Sequence, residues 1–273
     1  MVVSRINPPE TAGNLRRPIG LIVAARSHKS EPARFTDQHP LTLPSHFGEE
    51  LSMSTKGLIS ELDARVAARH LLTHPFYQEW TAGELKMEKL RDYAMQYYRH
   101  VEAFPRYLSA LHSRCDDLAT RQVLLNNLID EEDGERNHPE LWLRFAEALG
   151  VSRAQVRQAA PRASTRHLVE TYHHLSRNAP LAAGLSALYV YESQIPAVAE
   201  AKIAGLNQFY GIDNEDGVAF FAVHREADAV HARAGARLIE QSATTGQIKA
   251  AVLDAAEQSL SALWGMLDGV HKG

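Results

Sequence analysis

From Leu58 onward, apolar residues recur at intervals of three and four with charged residues between them. That spacing predicts helix almost throughout. Leu58, Leu62, Val66 and His70 share one face of a first helix, which ends before the turn-like pair His74-Pro75. A long second helix is predicted over 87–114, bent at Pro105. A third covers 118–133 and stops at Gly134. Short helices follow over 139–149 and 152–158, with Asn137 and Ser152 as capping residues. Four more are predicted over 164–176, 181–210 with a kink at Pro196, 214–241 and 245–267. No Asn-Gly or Asp-Gly pair sits between alternating apolar runs, and Asp216-Gly217 falls inside a helical pattern. The expected fold class is all-α, a single bundle of about seven or eight helices, with no internal repeat or low-complexity tract.

Residues 1–52 break this pattern. Scattered proline, arginine and serine, including Pro8, Pro9, Arg16, Arg17 and Pro18, leave no sustained period. The expected organisation is a disordered extension or a mis-assigned start over 1–52, with Met53 as a natural start, followed by one domain over 53–273. An Arg-rich, acid-poor beginning also suits a transit peptide, the weaker of these readings.

Composition narrows the partners. With 273 residues, 45% of them hydrophobic, the chain can bury one sizeable core without a second domain. A formal net charge of −4 argues against nucleic acid and anionic membranes as partners. The longest apolar run, Leu181 to Val190, falls short of the roughly 20 residues that a membrane helix needs. One cysteine, Cys115, excludes a disulfide framework and a Cys-rich metal site, so a cytoplasmic protein is expected. The 14 histidines become informative only by position.

The sharpest positions lie in HREADAVHA, where His224, Asp228 and His231 project at about 0°, 40° and −20° on one helix face. Two imidazoles and a carboxylate so arranged suit a metal ion with open coordination positions. Arg225, Glu226 and Arg233 nearby keep an ordinary solvated face open as the alternative. In DEEDGERNH, Gly134 would break the helix and let Glu131 and His138 reach one centre. Four acids at the carbonyl end of a helix call for a cation. Glu192 is a lone carboxylate in the apolar stretch LAAGLSALYVYESQIP, costly to bury unless it is metal-bound or paired, with Lys202 a candidate counter-ion. Taken together, Glu131, His138, Glu192, His224, Asp228 and His231 form an oxygen and nitrogen donor set of the kind that helix bundles use for dimetal carboxylate sites. Six ligands of oxygen and nitrogen alone suit Fe/Fe or Mn/Fe better than zinc.

With these residues stand HPFYQEW and AFPRYLSALHSRCDD. From about Lys56 to the C-terminus, the chain resembles the family of the chlamydial protein associating with death domains and its bacterial relatives. That family belongs to the haem-oxygenase-like dimetal oxidases, beside thiaminase-like and pyrroloquinoline-quinone-synthesis proteins. The resemblance implies a haem-oxygenase-like bundle and all six ligands in order. It also implies an oxygen-dependent, self-sacrificing synthesis of 4-aminobenzoate for folate. The family's consumed tyrosine matches Tyr77 in HPFYQEW, and its amino-donor lysine matches Lys202 in EAKIAGL. Two metal ions, dioxygen and an external reductant would be required, and turnover would stop at about one per chain. An unidentified electron donor and a homodimer are the expected partners.

Without the resemblance, Tyr77 would pass for a core aromatic, and Tyr93, Tyr97, Tyr98, Tyr189 and Tyr191 would compete with it. Two other functions stay in view: a dimetal oxidase acting on a diffusible small molecule, and a non-enzymatic interaction module. Cys115, three residues after His112, reads as structural, and His173-His174 has no ligand spacing. No phosphate loop or nucleophile elbow is visible.

Overall fold

The computed structural model describes residues 46–273, with side chains from residue 57. The reading of 1–52 as an extension therefore falls, up to residue 45, outside the described residues. Eleven α-helices are found among the described residues: α1 (His46–Ala68), α2 (Pro75–Ala82), α3 (Met87–Arg114), α4 (Leu118–Glu132), α5 (His138–Ala148), α6 (Arg153–Gln158), α7 (Ala163–Asn178), α8 (Leu181–Glu192), α9 (Ile195–Phe209), α10 (Glu215–Ser242) and α11 (Gly246–Lys272). No strand occurs among them. The bundle is all-α, as the periodicity predicts. The number exceeds the expected seven or eight: the nine segments predicted one by one become eleven because α2 is a helix of its own and the segment predicted over 181–210 is cut in two.

That cut has a physical cause. Pro196 cannot donate to the carbonyl of Glu192, and its ring would crowd that carbonyl, so α8 ends at Glu192 and α9 restarts with Pro196 in its first turn. At the break, Gln194 accepts from the Leu71 backbone N–H at 2.8 Å and donates to the Val190 carbonyl. This ties the break to the short 3₁₀ turn Leu71–Thr73, from which the chain enters α2. One proline thus places both a carboxylate and a distant tyrosine-bearing helix.

Helix α8 is buried from Ala182 to Glu192, as expected for a helix that is apolar all round. It packs against α10 and α11, while α3 packs against α4, α5 and α7. On α3, Tyr93, Tyr97, His100, Phe104 and Tyr107 follow the helical repeat and form one buried aromatic stripe. Trp142 on α5 donates its indole N–H to the Ala94 carbonyl at 2.8 Å and fixes α5 across that stripe. On α9, Gly205 lets Trp80 of α2 approach so closely that a Cβ there would lie 2.5 Å from the indole. Tyr77, one turn before Trp80, is thereby set beside Lys202, one turn before Gly205. No helix among the described residues is long and apolar enough to cross a membrane.

Candidate metal centre

Two groups of three side chains converge inside the bundle. Glu131, His138 and His224 form one, and Glu192, Asp228 and His231 the other. Within each group the donor atoms lie within 4.8 Å of one another. All six are residues expected as ligands. Helix α10 contributes three of them at one face, α4 and α8 each contribute a carboxylate near their last turn, and α5 contributes its first residue. Gly134, at φ +70, turns the chain between α4 and α5. This brings His138 Nδ1 to 2.8 Å from Glu131 Oε2.

The donors fit a pair of hard divalent ions. Among the described residues His138 Nδ1 forms no hydrogen bond despite its closeness to Glu131, and Asp228 Oδ2 and His231 Nδ1 are also buried without a hydrogen-bond partner. Buried polar atoms left so are rare and costly. His224 Nδ1 lies 2.6 Å from the Phe220 carbonyl, so it carries the proton there and leaves Nε2 as a lone-pair donor. His231 Nε2 lies 3.0 Å from Asp130 Oδ2, which likewise frees Nδ1 toward Asp228 Oδ1 at 3.6 Å. Asn127 donates to Glu192 Oε1 at 2.8 Å.

Electrostatics point the same way. Burial, reinforced by the neighbouring carboxylates of Asp228 and Glu131, pushes Glu192 up to about 8. Burial also raises Asp228 to about 6, with Glu131 adding to it. Glu131 and His224 of the first group line one small cavity with Asp228 of the second, so the two groups adjoin. Burial would lower His231, but Asp228, Glu192 and Asp130 together raise it to about 9. Protons on these side chains do the work that a cation would do, and binding of cations would release them.

Asp130 and Asn127 were not singled out from the sequence. Asn127 precedes Glu131 by one helical turn, a spacing that could have placed it on the ligand face. The link from Asp130 to His231 spans 101 residues and had no local signal. Because an outer hydrogen bond orients the imidazole, Asp130→Ala should weaken metal binding by about ten-fold, the low end of the usual range because Asp130 is half exposed. Calorimetric titration of the apoprotein with Mn(II) measures it.

Tyr77 and Lys202 meet in an adjoining aromatic pocket. Lys202 Nζ donates to Tyr93 Oη at 2.7 Å, and Tyr93 Oη lies 3.2 Å from Tyr77 Oη. The ammonium stands 4.9 Å from the Phe221 ring centre and 5.4 Å from that of Tyr77. Burial alone lowers Lys202 to about 7. Glu192 pairs with Asn127, and Lys202 is not its counter-ion. From Tyr93, rings continue to Trp142 at 5.7 Å, Phe220 at 4.7 Å and His224 at 4.1 Å between successive centres. His100, fully buried with neither ring nitrogen hydrogen-bonded, lines a small cavity with Glu131, His224 and Asp228.

Residues 91–264 match the model of a family described as an iron-containing redox enzyme. The 4-aminobenzoate synthase of Chlamydia muridarum is 46% identical over 220 residues, which span 81% of this chain and 91% of that protein. The 4-aminobenzoate synthase of Nitrosomonas europaea is 44% identical over 229 residues, 81% of this chain and 93% of that protein. A CADD-like protein of unknown function from Nostoc punctiforme shares the fold with a TM-score of 0.65 at 17% identity, over 81% of this chain and 98% of that one. The chain belongs to the haem-oxygenase-like family of iron-containing redox enzymes, in its 4-aminobenzoate synthase branch.

Proposed function

We propose that this protein makes 4-aminobenzoate out of its own Tyr77 and Lys202. The observation that carries the reading is the buried hydrogen-bonded line Lys202–Tyr93–Tyr77 beside the two ligand groups. A tyrosine side chain already holds the skeleton of the product, a benzene ring with carbon at one end and a heteroatom opposite. Cβ corresponds to the carboxylate carbon, and the phenol position to the amine. The cavity shared by His100, Glu131, His224 and Asp228 measures about 10 Å³, room for a water-sized molecule at most. That space favours a substrate built into the chain over a diffusible one.

Glu131, His138 and His224 would hold one ion and Glu192, Asp228 and His231 the other, and an Fe/Fe or Mn/Fe pair bound there would supply dioxygen activation and strong oxidation. The protein's own groups prepare the rest. Lys202, lowered to about 7 by its apolar cage, offers a free amine at neutral pH, the form that attacks carbon. Tyr93 holds that amine on one side and the Tyr77 hydroxyl on the other, which fixes donor and ring together. The Tyr77 phenol is held well above its usual range by burial, so at neutral pH it keeps its proton until it is oxidised. An external donor supplies electrons.

The test loads the full chain anaerobically with Fe(II), with and without Mn(II), then adds dioxygen and a reductant but no substrate. Mass spectrometry should find 4-aminobenzoate at no more than one equivalent per chain. The peptide holding residue 77 should lose mass in step. Product well beyond one equivalent would instead assign the site to a diffusible substrate.

A further inference from the structure

Between α3, α4, α8 and α10 lies a narrow, partly open cavity of about 30 Å³ that reaches Glu192 and His231 of the second ligand group. Apart from Asn127, Glu192 and His231 at its inner end, its wall is apolar, with Leu108, Leu124, Leu185 and Leu188 prominent. It has room for a molecule the size of water or dioxygen, and none for an aromatic ring. The leucine stretch of the wall offers water no partner, whereas dioxygen needs none.

Gly235 supplies an independent observation. It stands inside α10, where only proline suits a helix less well than glycine. Neither usual reason for a glycine applies. Its φ is not positive, and a Cβ there would touch only Tyr189, at 3.9 and 4.0 Å, an ordinary contact. What Gly235 does is line this cavity and leave its wall without a side chain.

We propose that this apolar cavity is the dioxygen-admission passage to the Glu192–Asp228–His231 group, held open by Gly235. The inference rests on the oxygen-dependent reading above. It separates the route of the gas from the aromatic pocket of Tyr77 and Lys202, so dioxygen can arrive without displacing the built-in substrate.

Xenon, an apolar probe that occupies dry cavities, tests the passage without any metal. Crystals of the full chain pressurised with xenon should show it between Leu124, Leu188 and Gly235; xenon absent from that position would overturn the proposal. In Fe(II)-loaded protein, Gly235→Leu should raise the dioxygen concentration giving half-maximal rate about five-fold, with the maximal rate kept. Gly235→Ala, which adds one carbon and favours the helix, should shift it less and raise Tm, which controls for folding. An unchanged oxygen dependence in a folded, metal-replete Gly235→Leu protein would also overturn the proposal. If the loaded wild type consumes no dioxygen, the underlying reading fails, and the xenon position alone then decides whether the cavity admits an apolar gas.

Discussion

Tyr77→Phe protein should fold, bind two metal ions per chain and yield no 4-aminobenzoate. The phenol and phenyl rings have the same outline, and Tyr77 is packed edge-on against Phe76, with centres 5.3 Å apart, in a core that accepts either. Among the described residues the only polar contact removed is the 3.2 Å approach to Tyr93, which retains Lys202 as a partner. A loss of about 1 kcal/mol in stability covers that hydrogen bond. Activity should fall by far more than stability, because without the hydroxyl the ring has no easily oxidised position and no group opposite Cβ for an amine to replace. Mass spectrometry of product and metal analysis of the same sample check both halves. Normal yield from Tyr77→Phe would remove Tyr77 as the ring source. Tyr93→Phe then separates source from support. It keeps the Tyr77 ring but frees the Lys202 amine, so it should lower the yield while the peptide containing residue 77 still carries whatever modification occurs.

The parts of this architecture that were legible in the sequence are those in which one helix carries the whole signal. Helix α3 was readable because its aromatic and apolar stripe keeps a single period from Leu90 to Leu111, and its bounds, Met87 and Arg114, follow from that period. His224, Asp228 and His231 stood out because seven residues bring them back to one face. Glu131 and His138 depended on reading Gly134 as a turn and not as a flaw in a helix, and φ +70 at that residue is what curls the chain. Glu192 was visible as the one charge in an apolar stretch. Its position at the very end of α8 has no such mark, because Pro196 signals a kink at its own place while the helix stops one turn earlier. Tyr77 and Lys202 lie 125 positions apart, on α2 and α9, and no local pattern joins them. Their pairing came from resemblance, and what sets them together is the approach of Trp80 to Gly205 and the tether from Gln194 to Leu71. Tyr93 was only one tyrosine among several until its hydroxyl was found between the two.

Lys202→Met should abolish the product and make the protein more stable, a combination that only a residue retained for chemistry gives. Lys202 is 3% exposed, surrounded by Tyr77, Trp80, Tyr93, Tyr97, Trp142 and Phe221, with the Tyr93 hydroxyl as its one hydrogen-bond partner among the described residues. Burial lowers it from 10.5 to about 7, a difference of about 4–5 kcal/mol between the two protonation states at full protonation. The sign follows from proton counts. Between about pH 7 and 10.5 the unfolded chain holds a proton on Lys202 that the folded chain has released, so wild-type stability rises with pH through that window. Methionine fills nearly the same volume, carries no charge and has no such dependence. After about 1 kcal/mol is deducted for the lost bond to Tyr93, the variant should gain about 3 kcal/mol at pH 7, an advantage that shrinks as pH approaches 10. Denaturant melts of metal-free wild type and Lys202→Met at pH 7 and pH 9.5 measure it, and an equal gain at both values would mean that the ammonium is not the source of the strain. The same titration governs the chemistry. Product yield in wild type should rise between pH 6 and pH 8 as the amine loses its proton, while Lys202→Arg, charged throughout, should give none at any pH. A lysine that both destabilises the core and sets the pH at which the product forms is the amino donor; one that does only the first is a buried charge with no part in the reaction.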